Sequence, residues 1–238
     1  KLEDIVVLKY AVEEFHAGMA AYALGNLYYD RLCWEEAVSL WEMAREQYPD
    51  YPTVHRNLAL AYYNKLQDTQ RAKEELECAY RLNPSDARVF LELDQLYKKL
   101  GAGYEERLVH FEEHREIIAS RDDLYIEYIT LYNMTGRYEE ALKMIMEHHF
   151  HPWEGGEGKI TTQYTLALLA LARKALAEQE AKQAEELLCR ALVYPDNLGE
   201  GKLEGTKDNH LYYYLGEALQ MQGKEAEAIE CWQKAACG

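Results

Sequence analysis

Basic residues are scarce in this sequence: 26 Lys and Arg stand against 42 Asp and Glu, a net charge of −16. That balance speaks against nucleic acid or an anionic membrane as partner, because both are held by basic surface. Paired cysteines are also missing. The five present (Cys33, Cys78, Cys189, Cys231, Cys237) are odd in number and include no C-x-x-C. Several fall at helix-core spacing, which predicts reduced, buried thiols and a cytoplasmic location. No apolar run reaches the ~18 residues a membrane span requires, and no signal peptide opens the chain. The first residue is Lys1 rather than Met and the last are Cys237-Gly238, so the sequence reads as part of a longer protein.

Catalytic signatures are lacking as well. No Ser–His–Asp order, nucleophile elbow or isolated carboxylate pair stands out among the acids. His110-Phe-Glu-Glu-His114 places Phe where a zinc protease motif needs its catalytic Glu. His148, His149 and His151 cluster without a further ligand at metal-binding spacing. The expectation is a protein that is not an enzyme and holds no cofactor and no metal.

What is present is apolar content of 48% with aromatics at 12%, ample for a core, and a repeat. Ala21–Pro49 carries Leu24-Gly25, Tyr28, Ala37, Trp41, Ala44 and Pro49. That is the order L-G-x₂-Y…A-x₃-F…P of a 34-residue helix–turn–helix unit. The segment resembles the tetratricopeptide repeat family, departing only where Ala21 stands for the opening Trp. Leu58 and Tyr62 follow Leu24 and Tyr28 by 34 residues, whereas Ala79 and Pro84 follow Ala44 and Pro49 by 35. One residue has therefore been added within the turn 64–69. Pro84 ends a helix, and Ser85 is expected to cap the next. The resemblance implies an all-α fold, a right-handed superhelical solenoid of antiparallel helix pairs. Residues 1–17 form the second helix of a truncated repeat in this reading. Helix pairs then occupy 18–51, 52–86, 87–121, 122–151, 160–195 and 209–238 in one continuous solenoid. The first helix of the fifth pair should run about 17 residues, ~25 Å at 1.5 Å per residue.

Two features depart from the family pattern. Positions where paired helices touch must be small, and the first two full units use Gly25, Ala37, Ala44 and Ala59, Ala72, Ala79. The third unit has Asp94, Arg107 and His114 there. Buried charges are costly unless paired, so an Asp94–Arg107 ion pair is expected, with a polar pocket as the functional alternative. The second feature is a pair of Gly-rich loops, 152–159 and 196–208. Both contain P-x₃-G-E-G-K, from Pro152 to Lys159 and from Pro195 to Lys202. Each would present backbone N–H groups and Lys159 or Lys202 to an anion. Alternatively, Gly permits a tight path while Glu157 and Glu200 cap the following helix. Lying at equivalent places, the loops would share one edge, with Trp153 as an exposed anchor.

The resemblance also implies a ligand-facing side built by the first helix of each pair. Carried over by position, it takes Met19, Tyr22, Asn26 and Tyr29, then Thr53, Arg56, Leu60 and Tyr63, then Arg88, Leu91, Gln95 and Lys98. It continues with Asp123, Ile126, Thr130 and Asn133, then Leu166, Leu169, Arg173 and Leu176, and ends with His210, Tyr213, Glu217 and Gln220. Cations outnumber acids here, which favours an acidic or carboxylate-terminated peptide, and the tyrosines suit recognition. The chaperone-binding members of the family clamp a terminal carboxylate, and Asn26, Asn57 and Arg88 match that pattern. Tyr22 and Glu92 replace two of its cations, so a chaperone tail is not the expected ligand.

The run Lys1–Asp30, the segment Ser85–Gly101 and both loops are similar to large bacterial tetratricopeptide proteins in which a sugar-mutarotase-like β module precedes the repeats. That likeness implies a non-catalytic scaffold binding protein or peptide, with the missing N-terminal module as a second partner. The alternative is an accessory region of a carbohydrate-active or carbohydrate-binding protein.

Overall fold

A computed structural model describes residues 2–237, and among them the chain is all-α, of the helical-solenoid class, without a strand. No helix among these residues is long and apolar enough to cross a membrane. The chain divides between Ala102 and Gly103 into two compact units.

The first unit holds α1 (Leu2–Phe15), the pair α2 (Gly18–Asp30) and α3 (Trp34–Gln47), the pair α4 (Pro52–Ala61) and α5 (Thr69–Leu82), and α6 (Ala87–Lys99). Small residues let the paired helices touch. Ala37 and Ala44 are fully buried, and a Cβ on Gly25 would sit 2.5 Å from Trp41 Nε1. The Trp41 indole donates instead to Tyr22 O at 3.2 Å and to Asn26 Oδ1 at 3.1 Å. The added residue of the second pair is absorbed inside a helix. Tyr62–Leu66 forms a π turn, and Gln67 follows in the left-handed region at φ 55°. A single wider i→i+5 turn takes up the extra residue without ending the helix. Asp68 then caps α5, accepting from Arg71 N at 3.0 Å. The cap of α6 is Asp86 rather than Ser85. Its carboxylate accepts from Arg88 N and Val89 N, while the Ser85 hydroxyl turns back to Asn83 Oδ1 at 2.8 Å. Asp94 is fully buried within α6.

The second unit holds α7 (Tyr104–Glu113), a short α8 (Arg115–Ile118), and the pairs α9 (Asp122–Met134) with α10 (Tyr138–Glu147), α11 (Lys159–Ala177) with α12 (Ala181–Ala191), and α13 (Asn209–Met221) with α14 (Glu225–Ala236). The long first helix of the fifth pair is 19 residues. Arg107 is buried and donates to Glu127 of α9 at 2.6 Å. His114 ends α7, and its Nδ1 lies 2.8 Å from His110 O. The cysteines differ from expectation. Cys33, Cys189 and Cys237 are exposed, and only Cys231 is buried. The first lies in a turn, and Cys189 and Cys237 fall on outward or terminal positions that helical spacing alone did not separate from the core.

Candidate functional site

In the first unit α2 and α4, which begin pairs, and α6, which follows them, carry the recognition residues assigned from sequence. The ring of half-buried Tyr22 meets Tyr51 edge-on at 5.3 Å, and burial raises its hydroxyl pKa. Burial raises Tyr29 too, its ring lying 5.3 Å from Trp41. Asn26 Oδ1 accepts from Asn57 Nδ2 at 3.0 Å in addition to the indole. The two amides are therefore tied to one another and to the core. Arg56 grips Glu92 with two nitrogens, Nε at 2.6 Å, and that bond raises the guanidinium pKa further. Arg88 reaches the same carboxylate through Nε at 3.2 Å, with its side chain 65% exposed. Glu92 thus offsets one of these two cations; sequence reading noted it only as a departure from the carboxylate clamp and left it out of the charge count. Lys98 is exposed. Tyr63 carries the Lys99 ammonium 4.8 Å above its ring. Leu60, Tyr63 and Gln95 line a small cleft of about 80 Å³ between α4 and α6.

Beneath this face lies a buried charged cluster that sequence reading did not single out. His55 Nδ1 is 2.6 Å from Glu75 Oε2, its Nε2 is 2.7 Å from Pro49 O, and Arg45 pairs with the other Glu75 oxygen. The bond to Glu75 raises the His55 pKa above 6.5. Burial alone would raise Glu75, but the bonds from His55 and Arg45 prevail and hold it below 4.5.

In the second unit the two Gly-rich loops pack together. Asn197 of the second loop donates to Ile145 O at 2.8 Å and to His148 O at 2.9 Å, where α10 ends. Phe150 N donates to Asn197 O at 2.8 Å. Glu200 accepts from Gly158 N at 2.8 Å, and its other oxygen accepts from Thr161 N at 3.0 Å and from the Thr161 hydroxyl. Glu200 therefore caps α11, not the helix that follows it in sequence. Among the described residues Glu157 accepts within its own loop, from Gly155 N at 3.2 Å. The capping expectation is corrected for both residues, because the second loop folds back over the first. Trp153 is half-buried rather than an exposed anchor. Its ring covers Gly156, where any Cβ would collide with it, and the Lys159 ammonium lies 5.9 Å from the ring centre. Lys202 pairs with Asp208, which raises the lysine pKa.

Between α11 and residues 202–210 lies a cleft of about 260 Å³. Leu166, Leu169 and His210, all assigned to the recognition side by position, line it. So do Thr162, Thr165, Tyr194 and Leu203, which were not assigned. The signal for the threonines was the run Ile160-Thr-Thr-Gln-Tyr-Thr165 at the start of a long helix. Asn133 is buried, donating to Gln163 O and Oε1. Arg173 lies over the Tyr214 ring at 5.3 Å.

No family model matches the chain. Among solved structures it is similar to that of YrrB, described as a tetratricopeptide protein with an unusual peptide-binding site. The TM-score is 0.53 at 16% identity, covering 95% of this chain and 97% of that one. A tetratricopeptide protein from Parabacteroides merdae aligns with a TM-score of 0.51 at 16% identity, over 98% of this chain and 84% of its own. The chain shares the tetratricopeptide fold.

Proposed function

We propose that this chain is a non-catalytic scaffold that binds a peptide or a segment of another protein on the side formed by α2, α4 and α6. The observation that carries this reading is the sharing of Glu92 by Arg56 and Arg88. Arg88, its side chain 65% exposed, presents a cation at the rim of a cluster that also holds Arg56, Glu92 and Asp86, in a protein of net charge −16. Local field of that sign favours an acidic peptide. Tyr22 and Tyr63 add amphipathic contact beside it. The peptide-binding site ascribed to YrrB, a protein of the same fold, supports the class of ligand. The likeness to bacterial repeat proteins with a sugar-mutarotase-like module supports a place within a larger cytoplasmic protein.

The test is selection of peptides from a random library displayed on phage against the chain, followed by titration of the recovered sequences. Acidic sequences should be enriched. Arg88→Glu with Lys98→Glu, both at exposed positions, should weaken them by about tenfold, as expected for loss of ~1.4 kcal/mol. Recovery of no peptide, or equal affinity for the doubly reversed variant, overturns the reading.

A further inference from the structure

The cleft between α11 and the second Gly-rich loop has a chemistry distinct from the α2–α4–α6 side. Leu166 and Leu169 form part of its wall on the helix, and Leu203 faces them from the loop. The Leu203 side chain reaches Gly158, where an added Cβ would lie 2.6 Å from Cδ1. Tyr194 and Thr165 supply polar edges. The charged residues at the loop, Lys202 and Asp208, are engaged with each other. That ion pair also closes the strap 202–208, which holds Leu203 in place.

Volume narrows the occupant. A dry apolar cavity of ~150 Å³ holds one benzene ring, while clefts for drug-sized molecules begin near ~300 Å³. A space of about 260 Å³ suits one large side chain together with the first atoms of its backbone. Charge narrows it further: with lysine and aspartate paired, a charged side chain would be desolvated here without a free counter-ion. Position supplies the third constraint, since Leu166 and Leu169 on α11 and His210 on α13 stand at recognition positions of their own helix pairs within this unit.

We infer that this cleft is an anchor pocket for an uncharged aromatic side chain, Trp or Phe, of a bound peptide. The inference rests on the peptide-binding reading above and adds a side-chain preference to it.

Leucine-methyl NMR of the full chain, titrated with N-acetyl-tryptophanamide, N-acetyl-phenylalaninamide and the alanine, glutamate and lysine analogues, tests it. Saturable shifts at Leu166, Leu169 and Leu203 are expected for the aromatic amides, at least fivefold tighter than for the other three. Thr165→Trp, which fills the cleft, should abolish those shifts. Leu203→Ala, a change on an exposed strap, should weaken them about threefold without altering the fold. Absence of saturable shifts at these leucines, equal binding of the charged analogues, or parental binding by both variants overturns the inference. Library-selected peptides separate the two ideas. Peptides that bind the chain but neither compete with N-acetyl-tryptophanamide nor lose affinity to Thr165→Trp overturn the pocket and leave the scaffold standing. A pocket that binds the amides in a chain selecting no peptide overturns the scaffold and, with it, the anchor role.

Discussion

Glu200 holds Thr161 by both its backbone N–H, at 3.0 Å, and its hydroxyl, at 3.2 Å, across 39 residues of sequence. With Gly158 N on the other carboxylate oxygen, one side chain satisfies donors at the first turn of α11 that no intrahelical carbonyl can reach. Glu200→Ala should therefore cost about 1–2 kcal/mol, as loss of an N-terminal cap does. Glu157→Ala, exposed and bonded within its own loop, should cost less than ~0.5 kcal/mol. Urea unfolding of the two variants beside the parent measures both, and equal effects would refute the assignment of the cap.

Gly25→Ala should destabilise the first unit by about 1–3 kcal/mol, the usual penalty for overpacking. The new methyl would meet Trp41 at Nε1 and Cδ1, and the indole could keep its bonds to Tyr22 O and Asn26 Oδ1 only if the helices separated. Thermal unfolding followed by tryptophan fluorescence reads this out. The double variant Gly25→Ala, Trp41→Phe should recover part of the loss.

Glu127→Leu should destabilise the second unit by about 2–3 kcal/mol, somewhat less than a fully buried pair, because Glu127 is 21% exposed whereas Arg107 is 1% exposed. The cost arises from leaving a buried guanidinium without this carboxylate. The effects of Arg107→Met and Glu127→Leu should be non-additive, with a coupling of ~1 kcal/mol or more. A thermodynamic cycle over these chains checks the coupling.

Stability of the first unit should change with pH through His55 and Glu75. The His55 pKa is raised above 6.5, so its contribution is complete below pH 6.5 and is lost as pH climbs through the raised value. The Glu75 pKa is depressed below 4.5, so its contribution is complete above pH 4.5 and is lost as pH falls through the lowered value. The pair is thus most favourable between about pH 4.5 and 6.5. His55→Gln should flatten the alkaline side of the profile, measured as urea midpoint against pH. An unchanged alkaline slope would show that another group sets it.

The helix pairs were legible because their determinants are local and periodic. Leu24, Gly25 and Tyr28 on one helix and Ala37, Trp41 and Ala44 on the next declare which faces meet. The added residue in the second pair was legible as a count, though not as a π turn, since either a longer loop or a widened helix satisfies the same spacing. The candidate sites were less open to sequence. Arg56 and Arg88 read as groove cations because each sits at a recognition position. Their shared partner, Glu92, lies 36 residues from Arg56 and was read only as a departure from the carboxylate clamp. Glu200 read as a cap for the helix after it because capping is ordinarily local, and the helix it serves begins 41 residues earlier, at Lys159. The twin loop motif was visible. Its cross-wiring depends on the docking of one loop against the other, which no local pattern encodes.

That cross-wiring bears on the order in which the chain acquires structure during synthesis. Asn197 closes the carbonyl end of α10 and Glu200 the amide end of α11. Both helices are synthesised before either residue is added. At ~5–20 residues per second, the joint between them waits several seconds for the segment that seals it. A chain stopped before Asn197 should therefore be cleaved by protease between Glu147 and Lys159, and one extended past Glu200 should resist.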